Sequence, residues 1–363
     1  MTLAQHVQVQ EREHLQPDAP APPALAPHRP ADTPTGRQRR PLRVLSVTNM
    51  YPSPQWPAFG TFVFNEVQSL RAAGVQVDVL MINGRASTAN YARGLLEFWR
   101  ALHRRHYDVV HAHYVLTGFI TRLQWGTPVV LTHHGPEVIG FPRWQTWLAK
   151  LITPLFDQVI YRTEEMRRAL ADRNGWVITA GIDLDRFTPI PREEARARLG
   201  LPREGPLVLW AGEFWRPEKC FWLAQAAVDQ VQAALPGVEM VLLTKKPQEI
   251  VPLYMSACDA LVLTSSHEGS PNVVKEALAC NLPIVSVRVG DVPEMIEDVD
   301  GCTLAERDPA DIARKLTALL SPPRRSHGRS RVGSLTHERI AERIISVYRS
   351  AVAGRRRRRA HHG

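Results

Sequence analysis

Two glutamates eight residues apart, Glu268 and Glu276, are the side chains of this sequence whose setting points most directly to chemistry. They flank a turn of small and rigid residues, 269–272, in the run TSSHEGSPNVVKE. An apolar strand pattern precedes this run and a helix pattern follows it, so the turn lies at a predicted helix N-terminus. That end carries roughly half a positive charge and unpaired N–H donors, which suit a phosphate. The flanking carboxylates can accept hydrogen bonds from a sugar's hydroxyls and from a ribose.

The elements that must position these residues form two successive series of alternating strands and helices. LRVLSVT at 42–48 begins the first series, and LVLWAG at 207–212 begins the second. Such alternation predicts parallel sheets covered by helices on both faces. The predicted fold class is therefore α/β, with two Rossmann-like, doubly wound domains that face each other. Ligands of such sheets bind beyond the carboxyl ends of the strands, so one cleft is expected between the domains.

The composition along the chain divides it into six predicted segments. They are a disordered leader rich in proline and alanine at 1–40, an N-terminal Rossmann-like domain at 41–188, a connection at 189–205, a C-terminal Rossmann-like domain at 206–322, a linker with a final crossover helix at 323–354, and a basic tail at 355–363. The final helix is expected at 337–352, where one face is apolar and the other carries arginines. It is predicted to pack across both domains or to lie on a membrane.

The net charge of +9 belongs to the C-terminal end of the chain. Residues 322–363 carry +10 and residues 1–40 carry +1, which leaves −2 for 41–321. A nucleic-acid groove needs basic residues on the fold itself, so we expect no nucleic-acid partner. The run from Arg355 to Arg359 has two interpretations, an anionic membrane surface as partner or a solvated, disordered end.

Several other classes of protein are disfavoured. No apolar run approaches the ~18–20 residues of a membrane span, and the N-terminus lacks the pattern of a secretory signal. The four cysteines are scattered singly, which predicts reduced, buried thiols rather than a zinc or redox site. These features predict a cytoplasmic protein, with peripheral binding at the inner membrane face as an option. No Walker A loop, G-x-G-x-x-G motif or G-x-S-x-G elbow is present, and no cofactor is predicted.

Four histidines at 111, 113, 133 and 134 raise the question of a metal. The first two lie in an H-A-H run on a predicted strand, which places both rings on one face. No acidic partner is recognisable near them in the sequence. We therefore predict that the site contains no metal ion.

The block HEGSPNVVKEALACNLPIVSVRVGDVPEMIE resembles retaining glycosyltransferases of the GT-B fold, specifically family four, also called group 1. Further matches occur in the same order along about 42–320. Gly60 in FGTFVFNEVQSLRAAG is similar to the family's N-terminal glycine loop. DVVHAHY, VVLTHHGPEV and GIDLDRF resemble segments of its N-terminal domain, and RPEKCF resembles its phosphate-binding P-x-K turn.

The resemblance implies transfer of a sugar from a nucleotide diphosphate donor, with retention at the anomeric carbon, to a glycan, lipid-linked or polysaccharide acceptor. The acceptor would bind the N-terminal domain and the donor the C-terminal domain. By the same resemblance Glu276 contacts the ribose, Glu268 the sugar hydroxyls, and Lys219 the departing phosphate. The implied catalytic residues are His134, Glu268 and Lys219. The implied substrate-binding residues are Gly60, Thr61, Arg216, Glu268, Gly269, Ser270, Pro271, Asn272, Val273 and Glu276.

Three positions depart from the family pattern. Glu213 replaces the arginine that usually follows Gly212, and Arg216 is the nearest substitute cation. The segment from Lys245 to Val251 is short, because the family commonly has another helix and strand there, so we expect a reduced C-terminal domain. Asp291 replaces a second glycine. These departures leave two alternatives open, a non-catalytic GT-B relative that binds a glycan or partner protein, and a sugar-nucleotide epimerase.

Overall fold

The structure is a computed structural model that describes residues 40–53, 59–84, 86–139 and 143–361. The predicted leader lies outside these residues except for Arg40, and so do the last two residues of the predicted tail. None of the described helices is both long enough and apolar enough to cross a bilayer.

The N-terminal half contains a six-stranded parallel sheet in the order β2-β1-β3-β4-β5-β6. The strands are β1 (Arg43–Thr48), β2 (Gln76–Met81), β3 (Val109–His113), β4 (Val129–His133), β5 (Gln158–Tyr161) and β6 (Trp176–Val177). The two central strands β3 and β4 are buried along their whole length. Their short, mostly apolar sequences are typical of parallel strands that are covered on both faces. This half corresponds to the first predicted series.

The C-terminal half contains a five-stranded parallel sheet in the order β11-β10-β9-β7-β8. Its strands are β7 (Leu207–Ala211), β8 (Glu239–Leu243), β9 (Ala260–Leu263), β10 (Ile284–Val287) and β11 (Cys302–Ala305). The predicted α/β class with two doubly wound parallel sheets is thereby confirmed.

Helices cover the faces of both sheets. The N-terminal half has α1 (Thr61–Ala72), α2 (Asn90–Arg104), α3 (Val115–Thr121), α4 (Pro136–Ile139), α5 (Arg143–Ile152) and α6 (Glu164–Ala169). The remaining helices are α7 (Arg192–Leu199), α8 (Phe221–Ala234), α9 (Val251–Ala257), α10 (Asn272–Ala279), α11 (Val292–Ile296), α12 (Pro309–Leu320), α13 (Arg329–Val332) and α14 (His337–His361). Each half has an apolar core of its own, formed between its sheet and these helices.

The C-terminal sheet is smaller than its N-terminal counterpart at the position where the sequence is short. Between β8 and α9 the chain forms only the 3₁₀ turn Gln248–Ile250, with no additional strand in this fully described stretch. Strand β8 is therefore the edge of the sheet beside β7. The five strands agree with the expected reduction.

The predicted connection at 189–205 contains a helix, α7, that the sequence analysis did not identify. Ala195 packs with Leu253 and Ala257 of α9 in a small apolar cluster. Arg196, completely buried, donates to the Asp259 carboxylate at 2.7 Å. Proline and charged residues suggested a linker here, but the buried ion pair and this packing attach the segment to the C-terminal half.

The final helix is longer than predicted and packs on the N-terminal half. Ile344, Val347 and Tyr348 of α14 are fully buried in a cluster with Val67 of α1 and Val109 of β3. The helix continues beyond the expected end at 352 and includes the whole arginine run, 355–359. Arginine is a good helix former, and the Arg355 guanidinium lies 3.5 Å from the Asp157 carboxylate, which holds this end against the fold.

Candidate functional site

Each sheet has a position where the chain reverses the direction in which it adds strands. In the N-terminal sheet β1 lies between β2 and β3, and in the C-terminal sheet β7 lies between β8 and β9. Loops that leave the carboxyl ends of such a strand pair diverge to opposite faces and leave a crevice, where doubly wound proteins bind ligands. Lys219 lies in the loop after β7, and Glu268 lies in the loop after β9.

A cavity of about 520 Å³ lies between the two halves at these crevices. The N-terminal half contributes Phe62, His134, Gly135, Ile139, Arg162 and Ala180 to its wall. The C-terminal half contributes Arg216, Glu218, Lys219, His267, Glu268, Gly269, Ser270, Pro271 and Asn272. The structure thus brings His134 together with Arg216, Lys219 and the first part of the glutamate block.

The other four predicted site residues lie outside this cavity. Thr61 and Glu276 line a second cavity of about 50 Å³, which shares Phe62 and Asn272 with the larger one. Val273 packs its side chain against the C-terminal core, so only its backbone is available to a ligand. Gly60 precedes α1 with φ of 75°, and a Cβ there would lie 2.3 Å from the Met50 carbonyl carbon. This glycine therefore fixes the start of α1 and lines neither cavity.

Lys219 and Glu268 form an ion pair at the C-terminal wall. The Lys219 Nζ lies 2.5 Å from the Glu268 Oε1, and both side chains are partly exposed to the cavity. Lys219 ends a 3₁₀ turn that begins at Pro217, and the Ser266 N–H donates to the Glu218 carbonyl at 2.8 Å. This backbone bond joins the two loops, so the cation and the carboxylate are held side by side.

Helix α10 begins at the same wall without a capping side chain. It starts at Asn272, and no side chain among the described residues accepts a hydrogen bond from its first turn. Pro271 precedes it and has no N–H of its own, so the helix N–H groups are the donors at this end. An uncapped helix start beside a lysine is a favourable place for a phosphate.

The loop that carries Glu268 is held in place by its neighbours. The Asp291 N–H donates to the Gly269 carbonyl at 3.2 Å. Gly290, with φ of 53°, passes so close that a Cβ would lie 2.0 Å from the same carbonyl oxygen. From the other half of the molecule, the Thr179 hydroxyl lies 2.6 Å from the Ser270 hydroxyl. The backbone of residue 291 therefore supports the predicted donor loop, and the Asp291 carboxylate adds an interaction with the Ser270 hydroxyl.

The N-terminal wall consists of a chain of buried histidines that ends at the cavity. The His113 Nδ1 lies 3.3 Å from the His134 Nε2, and the His134 ring lies 5.0 Å from the Phe62 ring. His111 lies behind them, with its Nδ1 2.8 Å from the Tyr348 hydroxyl. Burial lowers the pKa of His134 well below its ordinary value and that of His113 to about 3. Both rings are therefore neutral near pH 7.

Behind the histidines lies a buried ion pair that the sequence analysis missed. The Arg162 Nη2 donates to the Glu66 Oε2 at 2.7 Å, and both side chains are almost fully buried. Glu66 and Arg162 are separated by 96 residues, so no local pattern could pair them. Glu66 is also the acidic neighbour of the H-A-H run, since its Oε1 lies 3.8 Å from the His113 Nε2.

This arrangement bears on the prediction that the site contains no metal. Among the described residues, one group places potential metal ligands within 4.8 Å of one another, namely Glu66, His111 and His113. However, the Arg162 guanidinium pairs with the Glu66 Oε2, and its positive charge would repel a metal ion bound beside the Glu66 Oε1. The donor set therefore fits a structural network better than a metal, and the absence of a metal stays a prediction.

Glu276 occupies an unusual electrostatic position in the smaller cavity. Burial raises its pKa to about 7, an effect that Lys275 and Arg186 partly oppose. Lys275 itself is completely buried, and its pKa is lowered by burial to about 8. No side chain among the described residues forms a hydrogen bond or ion pair with the Glu276 carboxylate. An unpaired, partly buried carboxylate weakens the fold unless a ligand pairs with it.

The departure at Glu213 has a clear structural outcome. Arg216 lines the larger cavity, whereas Glu213 does not. The Arg216 guanidinium pairs with Glu218 at 2.5 Å and remains about half exposed. Relative to the family pattern, the cation of this loop is therefore displaced by three residues, from 213 to 216.

Comparison with solved structures defines the class of fold. Sucrose-phosphate synthase from Thermosynechococcus elongatus is similar with a TM-score of 0.71 at 19% identity, over 86% of this chain and 99% of that one. HepE of Anabaena in complex with UDP is similar with a TM-score of 0.65 at 15% identity, over 85% and 100%. The two parallel-sheet domains therefore have the GT-B fold.

Comparison of sequences defines the family. The model of glycosyl transferases group 1 matches residues 225–322, and that of glycosyltransferase family 4 matches residues 59–186. A D-inositol 3-phosphate glycosyltransferase of Geodermatophilus obscurus is 27% identical in an alignment of length 303 that covers 68% of this chain and 67% of that protein. The chain belongs to the group 1 (family 4) glycosyltransferases, and the predicted family and enzyme class are confirmed.

Proposed function

We propose that this glycosyltransferase transfers a sugar from a nucleotide diphosphate donor to a glycan, lipid-linked or polysaccharide acceptor, with retention of anomeric configuration. The observation that carries the proposal is the C-terminal wall of the 520 Å³ cavity. There a lysine, an arginine and an uncapped helix start converge beside a carboxylate. These groups match a diphosphate joined to a polyhydroxylated ring. Family membership favours transfer over the non-catalytic and epimerase alternatives.

The donor would exchange partners with the ion pair at this wall. Lys219 and Glu268 neutralise each other at 2.5 Å. When a diphosphate arrives at α10, the Lys219 ammonium can turn to the phosphate oxygens, where negative charge grows as the sugar leaves. Glu268 is then free to accept hydrogen bonds from sugar hydroxyls. After the exchange, Lys219 is paired with a phosphate and Glu268 is hydrogen-bonded to hydroxyls, so neither charge is left without a partner.

Glu276 and the first turn of α10 complete the proposed donor site. The hydroxyls of the donor's ribose would donate hydrogen bonds to the Glu276 carboxylate, which has no other partner among the described residues. The N–H groups of 272 and 273 would meet the diphosphate. HepE of Anabaena was solved in complex with UDP, which supports a nucleotide as ligand of this fold. Arg216 and Lys219 supply positive charge at the diphosphate, so we propose that transfer does not need a divalent metal.

His134 is the proposed contact from the N-terminal half. Its ring is held between Phe62 and His113 and faces the cavity opposite Glu268. A neutral imidazole can exchange its 3.3 Å contact with His113 for a hydrogen bond with a sugar hydroxyl, without placing a second positive charge near the reacting centre. The acceptor is expected to enter from this half.

The donor site is tested by nucleotide-sugar binding. Calorimetry with UDP, GDP and ADP, followed by thermal shift with the corresponding sugar nucleotides, should identify one nucleotide with micromolar affinity. Lys219→Ala should weaken that binding, whereas Lys315→Ala on the distant α12 should not. The proposal fails if no member of the panel binds or is turned over by the intact protein.

The stereochemistry and the metal independence are tested with the donor so identified. NMR of the first-formed product should show the same anomeric configuration as the donor, and added EDTA should leave the rate unchanged. An inverted product contradicts retention, and loss of activity in EDTA contradicts metal independence. Conversion of the donor without any acceptor would instead support the epimerase.

A further inference from the structure

Helix α5 carries a line of large apolar side chains that point to solvent. Trp144 and Trp147 are 53% and 65% exposed, and Leu151 is 56% exposed. Their spacing of three and four residues places them on one stripe of the helix. The opposite face, with Ala149 and Ile152, is buried against the fold. The outer stripe therefore does not contribute to the core of this protein.

The stripe continues past the end of α5. Leu155 is exposed in the 3₁₀ turn that follows, and Trp125 is exposed after α3, which packs against α5. The Arg122 guanidinium lies 3.8 Å from the centre of the Trp125 ring. We call the set Trp125, Trp144, Trp147, Leu151 and Leu155 the tryptophan surface. Apolar residues of this size are rarely left exposed together unless something covers them.

The charge around the tryptophan surface has one sign. Between 109 and 156 the sequence contains a single acidic residue, Glu137, and its side chain is fully buried. Arg143 and Lys150 are exposed on α5 itself. The surface therefore presents apolar side chains and cations, and no exposed carboxylate within this stretch.

The basic end of α14 lies beside the same surface. Arg355 pairs with Asp157, two residues beyond Leu155. Arg355 and Arg358 are also electrostatic neighbours of Arg122, which stacks on Trp125. The three arginines 356–358 are exposed. The fold thus joins the arginine run and the tryptophan surface, which are far apart in sequence, into one continuous face.

We propose that the tryptophan surface and the basic end of α14 together dock on an anionic lipid bilayer. Tryptophan and leucine enter the interfacial layer of a membrane, and flanking cations are attracted to anionic headgroups. Two copies of this chain packed face to face would bring their arginine runs together, which disfavours a dimer as the occupant. A nucleic acid would satisfy the cations but leave Leu151 and Leu155 without a partner.

The proposed membrane face extends to the mouth of the cleft. Ile139 lines the large cavity, and it also lines the groove beside Trp144 and Trp147. A docked molecule would hold the N-terminal side of its cleft next to the bilayer. This position of the cleft favours a lipid-linked acceptor over a free glycan, an inference that rests on the proposed transferase function.

Co-sedimentation of the full chain with vesicles tests the proposal. Binding to phosphatidylglycerol and phosphatidylcholine mixtures should exceed binding to pure phosphatidylcholine by about tenfold or more and should weaken with salt. Trp144→Ser combined with Trp147→Ser should lower the partition constant by about tenfold or more. Trp222→Ser is the matched control, because Trp222 is 64% exposed on α8 of the other half, and it should bind as the wild type does.

A second variant probes the cations without disturbing the Arg355 ion pair. Arg356→Gln, Arg357→Gln and Arg358→Gln together should weaken binding and reduce its dependence on salt. The proposal is overturned if the wild type binds no vesicles, if it binds both lipids equally, or if the tryptophan variant binds like Trp222→Ser. It is also overturned if the tryptophan variant only converts a dimer to a monomer in light scattering. Nucleotide binding, measured in the same variants, should be unchanged, so failure of the donor proposal is recognised separately.

Discussion

The two walls of the cleft hold their charges in opposite ways. On the N-terminal wall Glu66 and Arg162 are buried and paired with each other at 2.7 Å, and the histidines in front of them are neutral. On the C-terminal wall Lys219 and Glu268 are open to the cavity, and α10 begins without a cap. The first wall uses its charges to fix geometry, whereas the second keeps them available for a ligand.

The largest expected effect comes from removing the available cation. Lys219→Ala should lower kcat/KM by about a thousandfold, because a preorganised charge at a leaving phosphate is worth several kcal/mol. The free energy of unfolding should fall by about 1–2 kcal/mol, less than for a fully buried pair, since the Lys219 and Glu268 side chains are 19% and 15% exposed and water can reach the carboxylate that is left. Steady-state kinetics and urea unfolding measure the two quantities.

The control for this prediction is Lys315→Ala, which removes a lysine paired with Asp311 at 2.8 Å on α12. It should leave kcat/KM unchanged. A loss in kcat/KM of less than about tenfold for Lys219→Ala would mean that Lys219 does not stabilise the negative charge on the leaving phosphate. The charges of the C-terminal wall would then have no catalytic role that distinguishes them from those of the N-terminal wall.

On the N-terminal wall the main effect should be on stability. Glu66→Gln leaves the Arg162 guanidinium buried without a counter-charge, so the free energy of unfolding should fall by about 3 kcal/mol. Nucleotide affinity should change far less than in Lys219→Ala. Urea unfolding and calorimetry provide the comparison.

A surface pair of the same chemistry is the control for Glu66. Glu164 pairs with Arg167 at 2.6 Å on α6, in a more exposed position. Glu164→Gln should lower the free energy of unfolding far less than Glu66→Gln does, because water replaces the lost partner. If both variants lowered the free energy of unfolding equally, water would be able to replace the lost partner at Glu66 as it does at Glu164, which contradicts a buried pair in the N-terminal wall.

Glu276 should show a stability change that depends on pH. Burial raises its pKa to about 7 from the ordinary 4.5, so between these values the folded protein binds more protons than the unfolded one. Stability contributed by the protonated form is therefore present below about pH 4.5 and lost as pH rises through 7. Glu276→Gln removes this loss and should stabilise the protein by roughly 2 kcal/mol at pH 8, with little effect near pH 4.5.

Urea unfolding of Glu276→Gln at pH 5 and pH 8 measures whether the free energy of unfolding rises as expected. Nucleotide titration of the same variant measures the accompanying loss of affinity. If Glu276 holds the ribose, the more stable variant binds nucleotide more weakly. An equal change in stability at both pH values would show that the carboxylate is already paired, and it would then resemble the charges of the N-terminal wall.

The two walls also differ in how far the sequence predicted them. Glu268 and Glu276 belong to one continuous run that passes from strand to helix, so local patterns place the helix start and the turn before it. Lys219 lies in a separate loop, but the resemblance to family four identified it. Most of the C-terminal wall was therefore predictable, because its geometry follows from short segments of chain.

The N-terminal wall was only partly predictable. The H-A-H run showed two histidines on one face of a strand, but its acidic neighbour Glu66 comes from another element. Arg162 is 96 residues away from Glu66, and their pairing depends on the tertiary fold. The same reason explains why α7 was not predicted. Its Arg196 is buried in an ion pair with Asp259, which is 63 residues away, so the sequence around 196 suggested only a connection. A charge pattern that fits a solvated linker fits a buried pair equally well until its partner is known.

The smallest expected effect is that the His113 ring does not titrate between pH 7.5 and pH 5. The pKa of His113 is lowered to about 3 by burial and by the Arg162 charge, so its ring signals in NMR should stay constant from pH 7.5 to pH 5. For a base with a lowered pKa, the stability is present above the ordinary 6.5 and is lost as pH falls toward 3. His113→Asn assigns the signals. A ring that titrates near 6.5 would mean that water reaches this wall, and His134 in front of it would then become charged and compete with Lys219 for the donor's phosphate.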